Sequence, residues 1–128
     1  MKAHEYLEAG HAAVFKLHGL SAPQYNVLRI LRGAGDTELS CHEVGERMVK
    51  RVPDVTRLLD RLEHRGLIER RRCPEDRRVV RTRLTGQGLA LVAAIDEPLQ
   101  ARIRREFAAF DDPALARLDA LLDALLGG

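Results

Sequence analysis

The stretch Val52 to Leu84, VPDVTRLLDRLEHRGLIERRRCPEDRRVVRTRL, limits what this chain can fold into more than any other part of it. It reads as a helix opened by Pro53 and closed by Gly66, running directly into two basic strands joined by a short turn at Pro74 to Arg77. In the helix, Val55, Leu58, Leu59 and Leu62 recur on one side and leave Thr56, Arg57, Asp60, Arg61 and His64 on the other. Residues 47–83 hold thirteen Lys or Arg against six Asp or Glu, a local balance of +7 in a chain whose total is +2. Charge so concentrated marks a surface that meets a polyanion. A helix followed by a basic hairpin suits a duplex, because the helix fits the major groove and the hairpin reaches an adjacent groove. The pattern predicts a DNA-binding winged helix.

Composition narrows the alternatives. With 128 residues, 45% apolar and 31% charged, the chain has the length and make-up of one soluble domain with a real core. It has no apolar run of about 18 residues to span a membrane. The N-terminal MKAHEYLEAGHAAVF is broken by His and Glu where a secretory signal needs an apolar run, so the expected location is the cytoplasm. Cys41 and Cys73 are too few and too far apart for a disulfide framework or zinc knuckle, and are expected as free thiols. Only 4% of residues are aromatic, with no Trp, which argues against base stacking on single strands or RNA loops. No GxSxG, HExxH, Walker or dinucleotide fingerprint is present, so neither an enzyme nor a cofactor is expected.

The flanking segments read as helices. Residues 2–18 carry Ala3, Leu7, Val14 and Leu17 at helical spacing and stop at Gly19. Ser21-Ala-Pro-Gln24 is a capping box opening a helix to about Arg32, with Tyr25, Val27, Leu28 and Leu31 inward. A very short strand is expected at Thr37 to Leu39. Ser40-Cys-His-Glu43 repeats the capping box and opens a third helix that carries Val44 and Met48 inward and ends near Val49. Thr85 caps a long helix with Leu89, Val92, Ile95, Leu99, Ile103 and Phe107 on one side and a kink expected at Pro98. Asp112-Pro113 is expected as the cap and first turn of a last helix bearing Leu115, Leu118, Leu121, Leu122 and Leu125. These terminal helices hold more apolar surface than a winged helix covers, and the simplest partner is a second copy. The expected fold is mainly α: a single domain over 1–128, with a winged helix-turn-helix at 20–84 and dimerisation helices at 1–18 and 86–126.

The run VTRLLDRLEHRGLIERRRCPEDRRVVRTRLT at Val55 to Thr85 resembles the recognition helix, strand, Asp-x-Arg wing and Leu-Thr helix start of the MarR (multiple-antibiotic-resistance regulator) family. The Leu20 to Leu31 helix and the C-terminal helices also fall where that family has them. The resemblance implies a homodimer joined by the first and last two helices. It also implies binding to pseudo-palindromic operators and release by a small ligand held between the dimer and DNA-binding parts. Two features depart from the family: the first helix is short, and Asp54 stands where many relatives place Ser or Thr.

On this reading Arg57 and Thr56 read bases in the major groove and Asp76 orients Arg78 into the minor groove, with Arg77 able to exchange roles with Arg78. Lys50, Arg51, Arg61, Arg81 and Arg83 supply phosphate attraction beside Pro53. Asp54 either accepts from a cytosine amine or stabilises the first helical turn, the second being preferred. The plain alternatives are a solvated Arg57 and an ordinary turn salt bridge at Asp76 and Arg78. Phe15, His18 and Tyr25 are candidates for a pocket taking a phenolic-type effector, although they suit a core equally. His4, Glu8, His11 and His18 share a helix face and are chemically capable of zinc binding, but no fourth ligand is identifiable and no metal is expected. Cys73 lies beside Arg70, Arg71 and Arg72, a setting that favours a thiolate. The competing functions are a winged helix used only for protein interaction, and a zinc- or thiol-responsive sensor.

Overall fold

The computed structural model describes residues 2–127. In chain order the elements are α1 (Lys2–Leu17), α2 (Ala22–Gly33), β1 (Leu39–Ser40), α3 (Cys41–Arg47), α4 (Val55–His64), β2 (Ile68–Arg72), β3 (Val80–Leu84), α5 (Gly86–Glu106) and α6 (Asp112–Leu125). The strands form one antiparallel sheet in the order β1-β3-β2.

Local chemistry sets most boundaries. Ser21 Oγ accepts from the Gln24 backbone N–H at 3.2 Å while Gln24 Oε1 accepts from the Ser21 N–H at 2.9 Å, a complete capping box. Ser40 and Glu43 repeat it at 3.2 and 3.0 Å. Ser40 is thus both the end of β1 and the cap of α3. The short strand lies later than its expected Thr37 to Leu39 because Leu39 pairs with Thr82 and Ser40 with Arg81. Helix α3 also stops short of Val49: Met48 turns to extended backbone (ψ 138°), and Asn26 Oδ1 takes the Val49 N–H at 2.9 Å. Met48 remains buried, whereas Val49 is 91% exposed.

Pro53 does not occupy the first turn of α4. Asp54 is the N-cap, its Oδ1 accepting the Arg57 N–H at 2.9 Å, so Pro53 precedes the cap and the helix begins at Val55. At the other end Gly66 takes φ +75°, a left-handed conformation that costs a side chain dearly and turns the chain into β2. The wing turn is longer than Pro74 to Arg77: β2 ends at Arg72, β3 begins at Val80, and the Cys73 N–H donates to the Val79 carbonyl at 2.8 Å.

The core gathers residues from nearly every element. Leu28 of α2, Leu39 of β1, Val44 of α3, Leu62 of α4, Ile68 of β2 and Ile95 of α5 are all nearly inaccessible. Burial of each such aliphatic side chain contributes about 1.5–3 kcal/mol. Helix α1 buries Val14 as expected, together with Gly10 and Phe15, and half-buries Leu7, while Ala3 and Leu17 are exposed. A Cβ at Gly10 would lie 2.6 Å from Arg102 Nη2 of α5, which rests on the bare helix surface.

Helix α5 is one 21-residue helix through the exposed Pro98. It buries Val92, Ile95 and Leu99, but Leu89 is exposed and Phe107 is the C-cap, stacked edge-on against Phe110. Helix α6 is capped by Asp111 and not by Asp112, because Asp111 Oδ1 accepts the Ala114 N–H at 2.9 Å; it buries no residue, with Leu115, Leu121, Leu122 and Leu125 exposed and Leu118 half-buried. Among the described residues no helix is long and apolar enough to cross a membrane.

Candidate nucleic-acid interface

Helix α4 is split as its sequence implies. Leu59 and Leu62 are buried and Val55 and Leu58 half-buried, while Thr56, Arg57, Asp60, Arg61 and His64 face solvent. Asp54 spends its carboxylate on the Arg57 N–H, where it also complements the positive end of the helix. That capping geometry is the helix-stabilising alternative for this residue, one step outside the helix rather than in its first turn.

The wing carries Arg78 at its tip, with a guanidinium 91% exposed. Asp76 Oδ1 accepts from both the Arg78 backbone N–H and its Nε, each at 3.1 Å, and Oδ2 accepts from Nη2 at 3.3 Å. The Arg78 side chain, and then its backbone N–H, hold the Asp76 carboxyl below the usual range. Thr56 of α4 and Arg78 of the wing line a common cleft of about 430 Å³. Thr56 of α4 and Arg78 of the wing therefore open onto the same cleft.

Much of the basic charge is already compensated. Arg71 Nε and Nη2 donate to Glu38 at 2.9 and 2.5 Å, holding that carboxyl below its ordinary range. Arg83 pairs with Glu69, and Lys50 lies 3.9 Å from Glu8. Two residues expected to face phosphate thus have carboxylates beside them. Arg51, Arg57, Arg61, Arg77 and Arg81 have no such partner among the described residues. These five open cations lie before α4, along it, and on the wing hairpin.

Arg70 was not among the sequence candidates. Only 18% exposed, its guanidinium bridges Asp60 and Glu63, with Nη2 2.8 Å from Glu63 Oε1. Its signal was present: alternation from the buried Ile68 puts Arg70 inward, opposite two acids three residues apart on the preceding helix.

A second cleft, of about 640 Å³, opens between α1, α2 and the α3–α4 loop, lined by Phe15, Tyr25, His11, Arg29, Met48 and Val49 among others. Phe15 and Tyr25 stack with centroids 4.3 Å apart. His18 is not part of this lining; its Nδ1 lies 3.1 Å from the Val14 carbonyl of its own helix. The other histidines do not converge: His4 lies 3.4 Å from Glu8, and His11 Nε2 meets Glu106 of α5 at 2.8 Å. Cys73 is buried and donates to Glu75 Oε2 at 3.2 Å, while Arg70, Arg71 and Arg72 turn to Glu63, Glu38 and the Arg77 carbonyl. Cys41 is half-buried, its sulfur 3.5 Å from Thr56 Oγ1.

A helix-turn-helix with an exposed basic second helix and a hairpin wing ending in an acid-held arginine defines a class of fold, the winged helix that many DNA-binding proteins share. Residues 20–80 match the MarR family. A MarR transcription factor from Planctomyces limnophilus is 35% identical, with a TM-score of 0.75 over 96% of this chain and 89% of that one. The chain belongs to the MarR family. The HTH-type transcriptional repressor IacR of Pseudomonas putida is 26% identical over 106 residues, which are 83% of this chain and 62% of that protein. A cysteine-to-serine variant of Escherichia coli MarR, solved with operator DNA, shares the fold at a TM-score of 0.84 and 24% identity, over 96% of this chain and 87% of that one. The chain spans between half and two thirds of the length of the first curated relatives it matches.

Proposed function

We propose that this protein is a transcriptional repressor of the cytoplasm that binds pseudo-palindromic duplex DNA as a homodimer and is released by a small ligand. The observation that carries the DNA reading is the shared face of α4 and the wing, where Thr56 and Arg78 line one cleft and Arg57 and Arg61 stand open. Arg57 reads a base edge, Arg78 enters the minor groove, and Arg51, Arg77 and Arg81 draw in phosphates. Repression rather than activation is supported by the name of the Pseudomonas relative.

The homodimer is supported by α6, which buries none of its residues among the described part of the chain and leaves Leu121 and Leu125 well exposed. Isologous pairing buries them and gives the two-fold symmetry that a palindromic site mirrors. The ligand reading rests on the cleft beside Tyr25, which has an apolar wall and cations at Arg29 and Lys50. Its size and polarity suit a phenolic-type molecule.

The test is a binding titration on the chain's own upstream DNA and on a scrambled duplex, with and without a panel of phenolic ligands. Preference for the upstream duplex, lost on adding a ligand, is the expected result. Absence of binding to either duplex would leave a winged helix used for protein interaction.

A further inference from the structure

Arg70 joins the recognition helix to the wing. Its backbone N–H donates to Glu63 Oε2 at 3.2 Å, its Nε to Glu63 Oε1 at 3.3 Å, and its Nη2 to Glu63 Oε1 at 2.8 Å and to Asp60. Asp60 and Glu63 are one turn apart on α4, so without a cation between them they repel each other. Asp60 also stands on the exposed face beside Arg57 and Arg61. Arg70 itself belongs to β2 and lines the cleft that Thr56 and Arg78 share.

We propose that Arg70 is the positioning residue that sets the wing against the recognition helix and screens Asp60 and Glu63 from the DNA phosphates. This rests on the DNA-binding reading above. Asp60 and Glu63 lie next to the surface that must accept a polyanion, and unscreened carboxylates there oppose it. The planar fork of a guanidinium reaches both carboxylates at once, which the single ammonium of a lysine does not reproduce. Because the wing hairpin continues from β2 through Arg78, an error in the β2–α4 angle is passed on to the wing tip. Arg70 therefore governs what Arg78 reads without contacting a base.

Two measurements separate this from a merely structural ion pair. The first needs no DNA: amide hydrogen exchange in Arg70→Gln should quicken across residues 67–84 while α1 and α5 keep their protection. The second is a double-mutant cycle of operator affinity between Arg70→Gln and Arg78→Ala. Each single change should weaken operator binding by about tenfold, equivalent to roughly 1.4 kcal/mol, and the pair should lose little more than either alone. Adding Asp60→Asn and Glu63→Gln to Arg70→Gln should restore affinity for scrambled duplex but not operator preference. If Arg70→Gln fails to fold, Arg70→Lys carries the comparison: charge and general affinity are kept, exchange of the wing rises, and operator preference falls. Unchanged exchange, or fully additive losses with Arg78→Ala, overturns the proposal. A wild-type protein that binds no duplex at any salt removes the screening role together with the DNA reading, and the exchange result then decides the clamp by itself.

Discussion

At the scale of single residues, the two arginines of the proposed interface differ in how the protein holds them. Arg57 has only its backbone N–H fixed, by the Asp54 cap, and its guanidinium is open. Arg78 is held by Asp76 through three donors. A free guanidinium suits bidentate contact to a guanine edge, so Arg57→Ala is expected to cost about 1–3 kcal/mol on the operator and almost nothing on scrambled DNA. Equal losses in the two titrations would show that α4 reads no bases. Arg78→Ala should weaken operators with A/T-rich flanks more than those with G/C-rich flanks, since a narrow minor groove attracts an inserted Arg. Asp76→Ala should act in the same direction and less strongly, as loss of orientation rather than of charge.

At the scale of elements, the joints between α4, the wing and α5 decide how rigidly the interface is held. Gly88, in the first turn of α5, packs on the strand entry so closely that an added Cβ would lie 2.0 Å from the Leu67 carbonyl oxygen. Gly88→Ala is therefore expected to lower stability by about 1–3 kcal/mol, read as a lower denaturation midpoint with an unchanged slope. The α4–β2 joint has a pH signature. The Arg70 side chain holds the Glu63 carboxyl below its ordinary value of 4.5. A depressed carboxyl stabilises the fold above its unfolded value, and that stability is lost as pH falls through the folded value. Arg70 is raised further and stays charged throughout. The melting-temperature gap between wild type and Glu63→Gln should be constant near neutrality and close below about pH 4.5. A gap that persists at pH 2 would mean that the pair adds nothing through its charge.

At the scale of the whole molecule, α6 is unlike every other helix, with Leu125 79% exposed and no buried residue. A surface of that kind predicts a dimer in sedimentation at micromolar concentration. Leu122→Asp should convert it to a folded monomer with weak operator binding, while truncation after Phe110 should give a monomer or aggregates. A wild-type monomer would remove both the dimer and the palindromic operator.

The sequence by itself determined the elements and the charge pattern. Periodicity placed Leu59, Leu62, Val92 and Ile95 inward, the Ser21 and Ser40 boxes started two helices, and the run from Arg47 to Arg83 concentrated the basic charge. These are local signals, set by neighbours along the chain. Which charges remain open was decided only by the tertiary structure. Glu38 reaches Arg71 from 33 residues away, Glu69 meets Arg83 across a strand pair, and Arg32 finds Asp96. Arg102 likewise rests where Gly10, more than ninety residues away, has no side chain. Even Pro53 lost its expected place to the neighbouring Asp54, because a carboxylate bonded to the Arg57 N–H outweighs a ring that only fixes φ. Ion pairs between distant residues depend on where the backbone brings them, and no spacing in the chain encodes that.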